Sequence, residues 1–147
     1  MSSPSPVLVT PPAANLPRFL EVDERVPPAI RKLVEEADGC LDMAFTTGGA
    51  ACARSAIRTI VQTEHADAAD YAASLLTLSE KHPAVAPALF QILAMLGGGD
   101  EPLSPEALRA LIVAVKAIIY EIYVLGAERV ERLMYVHQQV EALKREK

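Results

Sequence analysis

SPEALRALIVAVKAIIYEI, residues 104–122, opens like a helix and stays apolar along one side to its end. Ser104 supplies an N-cap, Pro105 suits the first turn, and Glu106 places an acid at the positive end of the helix dipole. Leu108, Leu111, Ile112, Val115, Ile118, Ile119 and Ile122 then recur at three- and four-residue intervals, the spacing of a helix face buried in a core. This is the longest apolar stripe in the chain. An all-α fold is expected to be built around it.

The pattern runs on past this stretch. Gly126 interrupts the stripe, but Val130, Leu133, Met134, Val140 and Leu143 resume it. Ile112, Ile119, Gly126, Leu133 and Val140 occupy one heptad position, and Val115, Ile122, Arg129, Val136 and Leu143 the other. That seam is broken only near Gly126 and Arg129. Residues 127–147 are therefore expected to form a C-terminal helix, continuous with the last helix of the bundle or jointed at Gly126. Its stripe of Val130, Leu133, Met134 and Val140 needs cover from the body of the chain or from a second copy, because an isolated helix of this length is marginal in water.

Toward the N-terminus, Gly97-Gly98-Gly99-Asp100 reads as a helix stop, since three glycines are too free to continue a helix cheaply. Without a Lys-Ser/Thr after it, the run is not a phosphate-binding loop. A helix over residues 84–96 carries Val85, Leu89, Ile92, Leu93 and Leu96, with Pro83 suited to its start. Another over 68–80 turns Tyr71, Leu75 and Leu78 inward. The segment 50–63 has Ala53, Ala56, Ile57, Ile60 and Val61 on one face. A first helix begins at Pro27-Pro28, carries Ile30, Leu33, Val34, Ala37, Leu41, Ala44 and Phe45, and is expected to end at Gly48-Gly49. Seven of the 11 prolines fall within the first 28 residues, so residues 1–20 read as an extended Pro-rich arm, with a short strand conceivable at Val7 to Thr10. The domain division is then arm 1–20, helical bundle 21–126 of about five helices, and C-terminal helix 127–147.

Composition narrows the function classes. The 147 residues are 51% hydrophobic, enough for a single core, and the net charge of -5 argues against a large phosphate-binding face. Nucleic acid is thus an unexpected partner. The two cysteines, Cys40 and Cys52, have neither the density of a disulfide scaffold nor the spacing of a zinc site, and read as buried thiols of a reducing compartment. No Lys or Arg precedes Arg18, so a secretory signal is not indicated. No membrane span, metal or cofactor is expected, and the localisation reads as cytoplasmic.

Two stretches carry a family resemblance. VPPAIRKLVEEADGCLDMAFTTGGAACARSAIRTIV, residues 26–61, contains a Pro-led helix with the pair Glu36-Ala37, then a helix with Arg54-Ser55-Ala56-Ile57. LFQILAMLGGGDEPLSPEALRALIVAVKAIIYEIY, residues 89–123, has a helix ending at Gly, an acidic loop and a Ser-capped last helix. In this order and spacing the chain resembles an uncharacterised bacterial family of the HEPN clan (higher eukaryote and prokaryote nucleotide-binding). The resemblance implies a HEPN-like helical bundle of the kind found near restriction, toxin or defence genes. Active HEPN proteins are metal-independent RNases that use an Arg and a His four to six residues apart. Here residues 89–100, where that set is usual, hold no Arg and no His, and the Glu expected after Arg54 is replaced by Arg58. The expectation is a non-catalytic, HEPN-like interaction protein that dimerises or binds a protein partner, an accessory of a defence or toxin-linked system. The alternative is a weak RNase using Arg132 with His137, or Arg58 with His65. Glu36 and Arg54 are expected to form an ion pair between the first two helices, since a half-buried Arg prefers a bidentate carboxylate.

Overall fold

The computed structural model describes residues 16–146, and among these every regular element is helical. The elements are α1 (Pro28–Asp42), α2 (Thr46–Thr63), α3 (Tyr71–Lys81), α4 (Pro87–Leu96), α5 (Pro105–Ile119), a π-helical segment (Tyr120–Leu125) and α6 (Gly126–Arg145). α5, the π segment and α6 form one continuous helix from Pro105 to Arg145, so the described residues make five rods. The possible strand at Val7 to Thr10, with most of the arm, lies outside the described residues. The arm's described end is not extended: Arg18–Leu20 is a 3-10 turn against α5, with Phe19 and Leu20 half-buried.

The stripe of α5 is the axis of the core. Leu108, Leu111, Ile112, Val115, Ile118, Ile119 and Ile122 are all buried, against α1, α2 and α4. The Ser104 hydroxyl accepts a hydrogen bond from the Ala107 amide at 3.1 Å, with Pro105 in the first turn, as the sequence implies. By length and composition this rod could cross a membrane, but half of its most apolar window is covered by the bundle, as in a core helix. α1 packs chiefly on α2, and α3 rests on α4 and α2. Small residues let these helices approach: a Cβ on Gly49 would stand 2.6 Å from Leu108 Cδ2.

Gly48 and Gly49 therefore do not end the first helix. They lie in the first turn of α2, and the break comes earlier, at residues 43–45. The Phe45 amide donates to the Cys40 carbonyl at 2.7 Å and the Ala44 amide to Leu41 at 3.0 Å, with Ala44 at φ 62°. These are the two reversed bonds of a Schellman motif, with alanine in the left-handed position that glycine usually takes. α2 ends the same way: the Ala66 amide donates to Val61 at 2.8 Å, the His65 amide donates to Gln62 at 3.1 Å, and His65 has φ 54°.

Two other boundaries move for local reasons. α3 starts at Tyr71, because the Asp70 carboxylate caps the Ala73 amide at 2.8 Å. α4 starts at Pro87 and not near Pro83, because the residue before a proline is held extended, as Ala86 is at ψ 132°. The Gly97 stop occurs as expected, and it also packs: a Cβ there would fall 2.6 Å from Ile57 Cδ1 and 2.8 Å from the Leu93 carbonyl oxygen.

The left-handed alanine yields a stability prediction. Ala44→Gly relieves a backbone cost of about 1–2 kcal/mol and restores part of it as extra freedom in the unfolded chain. The net gain expected is about 0.5–1 kcal/mol, read as a higher midpoint in a denaturant melt at unchanged slope. An unchanged or lower midpoint contradicts this junction.

Candidate functional site

The feature that sets this bundle apart is the projecting helix α6. Beyond the π segment it grows from, α6 makes little contact with the bundle. Val130 is 56% exposed, Leu133 69%, Met134 58% and Val140 42%, and Val136 and Leu143 are exposed beside them. Among the described residues, the body of the chain leaves all four stripe residues singled out from sequence largely exposed.

The π segment explains why the stripe leaves the core. A π turn adds a residue to each hydrogen-bonded ring, so the face that follows is rotated relative to the one before. Along α5 the buried positions follow the heptad through Ile118, Ile119 and Ile122; in the wide turn the next fully buried side chain is Val124. Gly126 is no break. It sits in helical conformation at φ -60° and ψ -45°, and α6 continues through it.

At the root of α6 a cleft of about 350 Å³ lies between the α3–α4 connection and the projecting helix. Lys81, His82 and Val85 form one wall; Arg129, Val130 and Leu133 form the other. Below it sits a half-buried polar cluster. The Glu64 carboxylate meets His82 Nε2 at 2.8 Å and accepts from the Tyr123 hydroxyl at 2.9 Å. The Glu64 carbonyl accepts from Lys81 Nζ at 2.9 Å. The cluster ties the end of α2, the end of α3 and the π segment together. In sequence His82 reads as a plain loop residue, because its partner Glu64 stands 18 positions away.

The expected ion pair of Glu36 with Arg54 does not form. Arg54 is buried, and its Nε and Nη2 donate to the Leu96 carbonyl at 3.2 and 3.1 Å. That carbonyl closes α4, where the negative end of the helix dipole favours a cation, and this holds the guanidinium away from α1. The exposed Glu36 carboxylate instead accepts from the Cys52 thiol at 3.7 Å. Burial foremost, then the neighbouring Cys40 and Glu36, pushes that thiol above its ordinary range, which weakens it as a nucleophile. Cys40 and Cys52 are both half-buried. The ion pair that does join α1 to the core is Asp38 with Lys116, at 2.6 Å, where the buried lysine leaves the apolar stripe of α5 to reach α1.

The two Arg and His pairs lie on α6 and across the C-terminal end of α2. Arg132 and His137 stand on exposed turns of α6, about 140° apart around the helix axis. His137 Nε2 lies 3.9 Å from Glu141 Oε1, one turn along. Arg58 Nη2 donates to Ser55 Oγ on its own helix at 2.8 Å. His65 is exposed in the left-handed position that closes α2, a conformation for which His is enriched. Its place is accounted for by the turn.

No protein-family model, curated protein or solved structure matches the chain, so the functional reading rests on this geometry.

Two measurements test the interior of the site. Arg54→Ala is expected to cost about 2–3 kcal/mol, the range of hydrogen bonds made by a charged group, while Glu36→Ala stays within about 0.5 kcal/mol and the double variant is additive. Strong coupling between them contradicts the Leu96 clamp. The second concerns alkali. Burial raises Tyr71, whose hydroxyl donates to the Leu93 carbonyl at 2.7 Å, to about 12. Burial foremost, and then the Glu64 carboxylate, raises Tyr123 well above the ordinary tyrosine range. Both folded-state values exceed the unfolded one, so this stability is complete below about pH 10 and is lost as pH rises past it, by at most about 1.4 kcal/mol per pH unit for each tyrosine. Tyr71→Phe and Tyr123→Phe should each flatten that fall in melts between pH 9 and 11. An equally steep fall in both variants contradicts it.

Proposed function

We propose that this chain is a non-catalytic helical interaction protein that pairs with a second copy of itself through α6. The exposed stripe of Leu133, Val136, Val140 and Leu143 on a helix with little intramolecular packing supports the reading. A 20-residue helix held out in water has little to keep it formed, and covering each Val or Leu contributes roughly 1.5–3 kcal/mol. The near-heptad spacing suits a helix partner. In the same reading the bundle is a HEPN-like scaffold that lacks the usual Arg and His of the RNases, serving as a cytoplasmic accessory of a bacterial defence or toxin-linked system. The sequence resemblance supports that part.

Light scattering coupled to size exclusion at micromolar concentration should give twice the chain mass of 15.8 kDa. Leu133→Glu with Val140→Glu should give the single mass with the far-ultraviolet helical signal of the bundle retained. A monomeric wild type overturns the proposal.

A further inference from the structure

We infer that the two copies of α6 pair antiparallel about a two-fold axis, each tip lying at the mouth of the other's root cleft. This rests on the pairing proposed above and goes on to fix its direction and contacts.

The first argument is the continuity of one face. Gly126, Arg129, Val130 and Leu133 line the root cleft, and they recur at intervals of three, one and three residues on one side of α6. Leu133 and Val140, with Val136 and Leu143, extend that same side to the tip. The apolar seam therefore starts inside the cleft and runs outward from it. A partner helix laid along the seam in reverse carries its tip back into the cleft. Laid parallel, it leaves both clefts without an occupant.

The second argument is charge. Antiparallel packing about the midpoint places Leu133 opposite the partner's Leu143 and Val136 opposite the partner's Val140, each pair occurring twice. The flanking positions of this register set Arg132 against the partner's Glu146, also twice. In a parallel pair Arg132 instead flanks the partner's His137, and Gln139 flanks the partner's Lys144, so no opposite charges meet. Arg132 and Glu146 are both exposed and enter no ion pair within the described residues. The partner's Leu143 comes to rest beside Leu133 and Val130, the apolar part of the cleft wall.

A charge swap reads the direction in the full chain. Arg132→Glu and Glu146→Arg should each weaken the dimer by about tenfold, as two exposed pairs turn repulsive, and the double variant should return to within about threefold of the wild type. A second test replaces Cys40 and Cys52 by Ala and places cysteine at Leu133, at Leu143, or at both. Under mild oxidation the variant with both should cross-link between chains, and the single Leu133→Cys variant should not, its two sulfurs standing about 15 Å apart along the axis. Cross-linking of Leu133→Cys to itself, or no rescue by the charge swap in a chain that still dimerises, overturns the antiparallel register and leaves the pairing standing. A chain that stays monomeric in every variant overturns both.

Discussion

Burial of one long apolar face, that of α5, holds the rest in place. α1, α2 and α4 pack on it, and the 3-10 turn at Arg18–Leu20 closes against it. Seven large side chains from Leu108 to Ile122 are withdrawn from water along it, each contributing on the order of 1.5–3 kcal/mol relative to exposure. Polar groups at this interface are few and placed with care. Lys116 leaves the stripe to meet Asp38, and Arg54 crosses from α2 to hold the last carbonyl of α4. Removing Asp38 leaves the buried Lys116 ammonium without its partner, so this contact fixes how α1 sits on α5 more than it adds to stability.

The same rod that organises the core also leaves it. A straight heptad run from α5 into α6 would keep one apolar face throughout, and a bundle could wrap that face to its end. The wide turn at Tyr120–Leu125 interrupts this phase, with Tyr123 drawn down to Glu64 and Val124 buried beneath the rod. Past the turn, Val130 and Leu133 line the root cleft, and the apolar positions beyond them stand clear of the described bundle. Core and surface stripe thus share one helix without competing for the same cover.

Much of the architecture is legible in the residues. The Ser104 cap, the α5 stripe, the Gly97 stop and the helical character of residues 127–145 all follow from local chemistry that tertiary contacts do not override. The misplaced features have identifiable causes. Ala44 and His65 hold left-handed turns that glycine usually signals, while Gly48 and Gly49 look like a stop and Gly49 is needed for close packing. Pro87 hides inside an apolar run, so Pro83 draws the helix start to itself. Arg54 has a plausible acid on the neighbouring helix, but its partner is a backbone carbonyl, which any residue type carries and no sequence pattern marks. The Glu64, His82 and Tyr123 cluster joins three distant segments, and nothing local in the sequence points to it. The exposed stripe of α6 is visible in sequence as apolar spacing; that the described bundle leaves most of it exposed is visible only in the structure.

The unbroken backbone from Pro105 to Arg145 makes α6 a lever whose fulcrum is the wide turn. At about 1.5 Å per residue the 41-residue rod is about 60 Å long, and roughly half of it stands outside the bundle. With no flexible joint at Gly126, force applied at the tip has no hinge in which to dissipate. It reaches Tyr123, and through the Glu64 carboxylate it reaches the ends of α2 and α3. Whatever grips the far end of this helix therefore exerts a torque on the polar knot at its base.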